Sequence, residues 1–213
     1  VSPRWLHWPA AGLSLIVHDD FAGVAGTNIS GRTPNQVNTP GNTWGTELNS
    51  SYYKISSGGD SAIAYSENSI SGMFIDVGTT VFDIEAVTQA TSSGSVYDKR
   101  HGIHIGYASP ARSFSLIQIG NNGNTLDHIV CVSGSVTSST TLHTFGSTVP
   151  TGTDIAWDLS VNGTSVSYSI TVGGSPLASG SITSSIANGI PGWFARESEA
   201  NGGSVLKDFK VYA

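Results

Sequence analysis

The sequence predicts an all-β chain, folded as an antiparallel two-sheet jelly-roll sandwich. Three observations predict it. The first is residues 154–172, DIAWDLSVNGTSVSYSITV. Apolar side chains alternate at Ile155, Trp157, Leu159 and Val161, and again at Val166, Tyr168, Ile170 and Val172. Asn162-Gly163 lies between the two runs, and Asn-Gly tolerates the positive φ of a tight hairpin turn. With that dipeptide as a two-residue loop, Leu159 faces Val166, Trp157 faces Tyr168 and Ile155 faces Ile170. Asp158 then pairs with Ser167, and Ser160 with Ser165. The second observation is that comparable alternations recur in roughly a dozen short runs, with no helical period anywhere. The third is composition. There are 26 Gly in 213 residues, with Ser, Thr and Asn filling many other positions. That chemistry suits turns and strand exteriors.

Taken in order, residues 1–12 read as an N-terminal arm or linker. Trp5 and Trp8 flank His7, and Pro9 breaks any regular element. Two exposed aromatics of this kind are expected to bind a partner. The segment lacks the basic start and apolar centre of a signal peptide. The chain opens on Val1, so a processed chain or a piece of a longer one is expected.

Leu13 to Phe21 reads as the first strand, with Leu13, Leu15, Val17 and Phe21 on one face and His18 and Asp20 on the other. Asp19 falls in line with the apolar set. Gly23 to Gly45 is a long polar loop ending beside Trp44. Short strands follow at Tyr52 to Ile55 and Ser61 to Tyr65, then two runs around Gly78. In the second run Phe82, Ile84 and Ala86 share one face, and Asp83, Glu85 and Val87 the other. His101 to Ala108 sets Ile103, Ile105 and Tyr107 against His104 and Gly106. Ser113 to Gly120 is apolar on both faces, which predicts a central strand. Asp127 to Ser133 continues as a strand, then a Ser/Thr-rich segment leads to the hairpin. Leu177 to Ile182 is a short strand and Ala187 to Gly203 a loop. Val205 to Tyr212 closes the chain, with Val205, Phe209 and Val211 on one face.

Composition narrows the function classes. Charged residues make up 11% of the chain and the formal charge is −6, with no basic patch, so phosphate-driven nucleic-acid binding is not expected. No apolar run approaches the length of a membrane span. Cys131 is the single cysteine, so no internal disulfide can form. Its strand position beside Ile129 predicts a buried small side chain. The six histidines, His7, His18, His101, His104, His128 and His143, follow no zinc-binding spacing and are expected at the surface or rim.

Three stretches carry a family resemblance: HDDFAGVAGTNISGRTPN with GNTWG, the hairpin IAWDLSVNGTSVSYSIT, and the close GIPGWFARESEANGGSVLKDFKVYA. Asp20-Phe21 with Gly26-Thr27, Asn162-Gly163-Thr164, Gly189 to Gly192, and Asp208-Phe209-Lys210-Val211 occur in the family's order. The chain resembles the concanavalin A-like lectin/glucanase sandwich, and within it the laminin-G-like branch, across residues 13–213. The resemblance implies a single lectin-like β-sandwich domain there. It is similar to sandwiches in tailed-phage virions, which serve as tail or fibre adhesion modules or as capsid decoration. A virion or extracellular location is therefore expected. The expected partners are a host-surface glycan or neighbouring virion proteins, with self-association into a homo-oligomer also open.

Because glucanases share the fold, a catalytic reading has to be weighed. Retaining glycosidases place two carboxyls ~5–5.5 Å apart, and Asp83 and Glu85, two apart on a strand, share a face. The sandwich glucanases show an E-x-D-x-x-E pattern. With Asp83 as the central acid, the flanking positions hold Val81 and Ala86. With Glu85 central, the last position holds Thr88. The set is incomplete either way, so a non-enzymatic protein is expected, with a polysaccharide hydrolase using Asp83 and Glu85 as the rival. The resemblance also admits calcium, for which Asp19, Asp20 and Asp208 near the two termini are the candidate ligands; no other cofactor is expected. Trp44, Tyr97, Trp193 and Arg196, in or beside loops, are the candidate ligand-binding residues. The hairpin register sends Trp157 to the core instead.

Overall fold

The computed structural model describes residues 12–39, 42–47, 53–64, 72–90, 100–109, 111–120, 123–195 and 204–213. Trp5, Trp8, Tyr97 and Arg196 lie outside the described residues. All described strand pairings are antiparallel, and no helix occurs among the described residues. The strands form two sheets, as the alternation predicts.

In chain order the strands are β1 (Leu15–Asp19), β2 (Gln36–Val37), β3 (Gly45–Thr46), β4 (Tyr53–Ile55), β5 (Ala62–Ala64), β6 (Gly72–Phe74), β7 (Val81–Ala90) and β8 (His101–Ala108). They continue with β9 (Ser113–Ile119), β10 (Thr125–Val132), β11 (Ser135–Thr144), β12 (Asp154–Asn162), β13 (Ser165–Val172), β14 (Ser175–Thr183), β15 (Gly192–Ala195) and β16 (Ser204–Tyr212). One sheet runs β14-β13-β12-β7-β16-β1-β2, with β5 joined to β16 and β4 to β5, nine strands in all. The other is seven-stranded, in the order β11-β10-β9-β8-β15-β6-β3. The first and last strands are neighbours, with Val17 opposite Val211 and Asp19 opposite Phe209.

The inner faces meet in one large apolar cluster containing Ile155, Trp157, Leu159 and Val161 of β12 and Ile103, Ile105, Ile117 and Ile119 of the facing sheet. The His101 ring stands edge-on to Trp157 at 6.0 Å, and Tyr53 edge-on to Trp193 at 5.5 Å, so aromatic contacts also bridge the sheets.

The hairpin faces are as predicted, with Trp157 and Tyr168 both buried. Its register is two residues away from the prediction. Val161 faces Val166, Leu159 faces Tyr168 and Trp157 faces Ile170, and the loop is Gly163-Thr164. Asn162 is a strand residue, held on its other side by Val81 of β7. Gly163 carries φ 58, and a glycine at the first central position suits a type II′ turn. A two-residue shift leaves every side chain on its predicted face.

Four strands lie where the sequence shows none: the two-residue β2 and β3, in and at the end of the segment read as a long polar loop, and β11 and β15. β11 is exposed along nearly its whole length on both faces, so it carries no alternation to read. β15 is only four residues long and buried throughout, within the segment read as a loop. Bulges also change phase: the β1–β16 register slips between Leu15 and Val17, and Ile16 rather than Leu15 packs on the core. Between His104 and Gly106 the β8–β9 register slips, so Tyr107 faces Phe114 instead of joining Ile103 and Ile105 in the core. Between Leu206 and Asp208 the β16–β7 register slips, so Leu206 takes the core position predicted for Val205.

Candidate functional site

The outer face of the seven-stranded sheet is set by three alternations. β9 presents Phe114, Leu116 and Gln118 outward, with Ser115, Ile117 and Ile119 inward. β10 presents Asp127, Ile129 and Cys131. β15 and β6 add Phe194 and Phe74. Phe114, Leu116, Cys131, Phe194 and Tyr107 form a second buried apolar cluster, separate from the main core, with Phe74, Ile129 and Ile190 packed against it. Phe74 and Tyr107 stack at 4.2 Å.

A groove of ≈ 400 Å³ opens on this face. That lies in the ~300–1,000 Å³ range usual for small-ligand sites. Phe114, Leu116 and Phe194 close its floor, and Ile129 and Val136 form an apolar wall. Arg100, Gln118, Asn124 and Asp127 supply its polar rim, with hydroxyls from Thr125, Ser139 and Thr141. The edge strand β11 thus forms one side of the groove.

Asp127 is held in place by its surroundings. Thr125 Oγ1 donates to Oδ2 at 3.0 Å and Thr141 Oγ1 donates to Oδ1 at 2.9 Å. A Cβ at Gly120 would overlap both Thr125 Oγ1 and Asp127 Oδ2, so the glycine leaves the space that these atoms fill. Next to the floor lies His104, 1% exposed, with the edges of Phe114 and Phe194 against it at 5.1 and 6.1 Å. Neither of its ring nitrogens has a hydrogen-bond partner, and burial pushes its pKa down to about 3. It is a neutral, apolar-packed ring.

Away from the groove, at the β8–β9 turn, Glu47 is 2% exposed, and its Oε1 accepts from Arg112 Nε at 2.8 Å. Its Oε2 has no partner. Burial raises the Glu47 carboxyl above its usual range, while Arg112 opposes the shift. Burial, and then the nearby Glu47 charge, raise both the Tyr107 hydroxyl and the Cys131 thiol.

The predicted site residues fall elsewhere. Trp44 and Trp193 are 1% and 0% exposed, which corrects their assignment to ligand binding. Trp44 sits between the Phe21 and Phe209 rings at 5.6 and 5.3 Å, and Trp193 belongs to β15 in the core. Asp19 is fully buried and already saturated: Arg32 donates through Nε and Nη2, Trp44 through Nε1 at 2.8 Å and Phe21 through its backbone N–H at 2.9 Å. Asp208 accepts from Lys210 at 2.6 Å and lies 2.9 Å from His18 Nε2, while Asp20 accepts from the Ala22 N–H. The calcium candidates therefore have other partners, and no group of three His, Cys, Asp or Glu that could hold a metal occurs among the described residues. His101, His104 and His128 are buried, not at the rim: β8 is covered on both faces, and His128 lies on the buried side of β10. His128 lies 2.9 Å from Ser115 Oγ. Asp83 and Glu85 do share a face, but on the nine-stranded sheet, opposite the groove. There the Tyr212 hydroxyl donates to Glu85 at 3.0 Å.

Asp127, Gln118, Phe114 and Phe194 do not stand out in the sequence. Thr125 and Asp127 at alternate positions were a usable signal, since they share a strand face. The groove itself depends on β15 lying between β8 and β6, which no local pattern shows.

No protein-family model matches the chain, and no curated protein matches it in sequence. Solved structures do match. The GH43 protein BlXynB from Bacillus licheniformis superposes with a TM-score of 0.60 at 12% identity, over 92% of this chain and 39% of that one. Xylan β-1,4-xylosidase from Bacillus halodurans C-125 gives 0.58 at 10% identity, again over 92% and 39%. The carbohydrate binding module CBM66 from Bacillus subtilis gives 0.50 at 11% identity, over 87% of this chain and 94% of the module.

The fold is a concanavalin A-like β-sandwich. The likeness is one of fold, and the sandwich spans about two fifths of the two larger proteins it matches. CBM66 is matched along nearly its full length.

Proposed function

We propose that this sandwich is a non-enzymatic adhesion module that binds glycan in the groove over β8 to β11. The groove carries the reading. Its accessible rim is amide, hydroxyl, guanidinium and carboxylate, while Phe114 and Phe194 in its floor are nearly closed off, which suits a hydroxyl-rich ligand. The match to a carbohydrate binding module of similar extent supports it. The resemblance to phage sandwiches supports a virion or another extracellular surface as its location, with decoration of a particle as the structural alternative.

The carboxylate arrangement supports a binding role over hydrolysis. Asp127 is the one carboxylate lining the groove among the described residues. Glu47, on the same sheet, is paired with Arg112 and does not line the groove. Paired-carboxylate glycosidases use two carboxyls ~5–9.5 Å apart.

A glycan array with the full chain, followed by isothermal titration of the hits, tests the reading. Binding is expected, and Gln118→Ala or Asn124→Ala should weaken it without lowering the melting temperature. A flat array together with strong self-assembly would favour decoration. Release of reducing ends from a polysaccharide would restore the hydrolase using Asp83 and Glu85.

A further inference from the structure

Resting on the groove as the glycan site, we infer that its ligand is an uncharged sugar chain, gripped at Asp127 through two neighbouring hydroxyls. The ionisable groups lining the groove among the described residues are Arg100 and Asp127, one of each sign. Among the described lining residues there is no surplus of positive charge for a uronate, sialate or sulfate, and the whole chain carries −6. An acidic sugar placed at Asp127 would meet a like charge, which is repulsive at close range.

The state of the Asp127 carboxylate sharpens this. Each oxygen accepts one threonine hydroxyl, from Thr125 and Thr141. A carboxylate oxygen has two lone pairs, so each retains one acceptor position. Two acceptors on one rigid carboxylate match two adjacent donors, which is what a vicinal diol presents. Gly120 keeps this geometry open beneath the carboxylate. Asp127 is thus the specificity-determining residue, and Thr125 and Thr141 are positioning residues that act through it.

The exposed apolar surface is Ile129 and Val136, an aliphatic wall without an exposed ring among the described lining residues. Stacking therefore contributes little there, and orientation rests on the hydrogen bonds.

The test is titration calorimetry of the full chain against paired oligosaccharides: neutral gluco-, galacto-, manno- and xylo-oligomers, and uronate-containing or sialylated counterparts. Neutral chains are expected to bind about tenfold or more tighter than their acidic partners. Asp127→Asn should lose about tenfold on neutral chains and narrow the gap to acidic ones, because the charge and one acceptor are removed. Thr141→Val should weaken neutral binding by a smaller factor, about threefold, through a less constrained carboxylate. A neutral oligomer methylated at one hydroxyl of the diol should bind the wild type as weakly as the parent binds Asp127→Asn. Acidic chains that bind as tightly as neutral ones, with Gln118→Ala still weakening binding, would overturn the neutral-diol inference and leave the groove standing. Binding indifferent to Asp127→Asn, Thr141→Val and Gln118→Ala alike would overturn the groove as well.

Discussion

The two outer faces of the sandwich start from the same strand pattern and end differently. On the nine-stranded sheet, the outward side chains of β7 and β16 include charged groups that have polar partners. Glu85 takes the Tyr212 hydroxyl, and Asp208 takes Lys210 with His18 alongside. On the seven-stranded sheet the outward side chains of β9, β10 and β15 are largely apolar and bury themselves, leaving a groove at whose rim Asp127 keeps unused acceptor capacity. Outward position alone therefore does not distinguish a solvated face from one that carries a groove. What distinguishes them is that polar groups on one face pair across its strands, while on the other they rim an open groove.

The contrast can be broken by experiment. The largest effect is expected at the junction of β1 with the following loop, where Asp19→Ala leaves Arg32 without its bidentate partner. Loss of a buried ion pair's partner costs about 3–5 kcal/mol, measurable by urea denaturation. Phe194→Ala, under the groove, should cost about 3–5 kcal/mol, as for a buried aromatic truncation. A small loss there would mean that the outer cluster is not a second core.

Protonation of His104 gives the next effect. Its folded pKa of about 3 is depressed from 6.5, so its contribution is present above the ordinary value and lost as pH falls toward 3. In that window stability should drop by up to ~1.4 kcal/mol per pH unit on its account. His128 is shifted the same way by burial and adds to the slope. His104→Leu should remove one proton's share, read from urea midpoints across pH. An unchanged slope would show that the ring is hydrated.

The smallest effect is expected on the open face. Glu85→Gln should change stability by less than ~1 kcal/mol, as for partly exposed polar pairs, and should leave glycan titrations untouched. A larger loss of binding there would move the site to the nine-stranded sheet.

Much of this fold was legible because strand alternation is local. The hairpin faces, the central position of β9 and the in-line position of Asp19 all follow from neighbours in sequence. Asp19 also shows the limit of that reading: the sequence places it among apolar residues, but its saturation depends on Arg32 and Trp44, which the loop brings back. The groove was illegible for a similar reason. It needs the insertion of a four-residue β15 between β8 and β6, which brings in Phe194, and an edge strand without hydrophobic signal. The loop tryptophans were misread because a long polar loop can still end in a buried anchor.

The burial of Trp44, Trp157 and Trp193, at 1%, 1% and 0% exposure, has an optical consequence. All three indoles are removed from water, so their emission is blue-shifted in the folded chain and moves to the red when the sandwich opens. None of the three lines the groove. These indoles therefore report the integrity of the sandwich, while a sugar entering the groove leaves their surroundings unchanged.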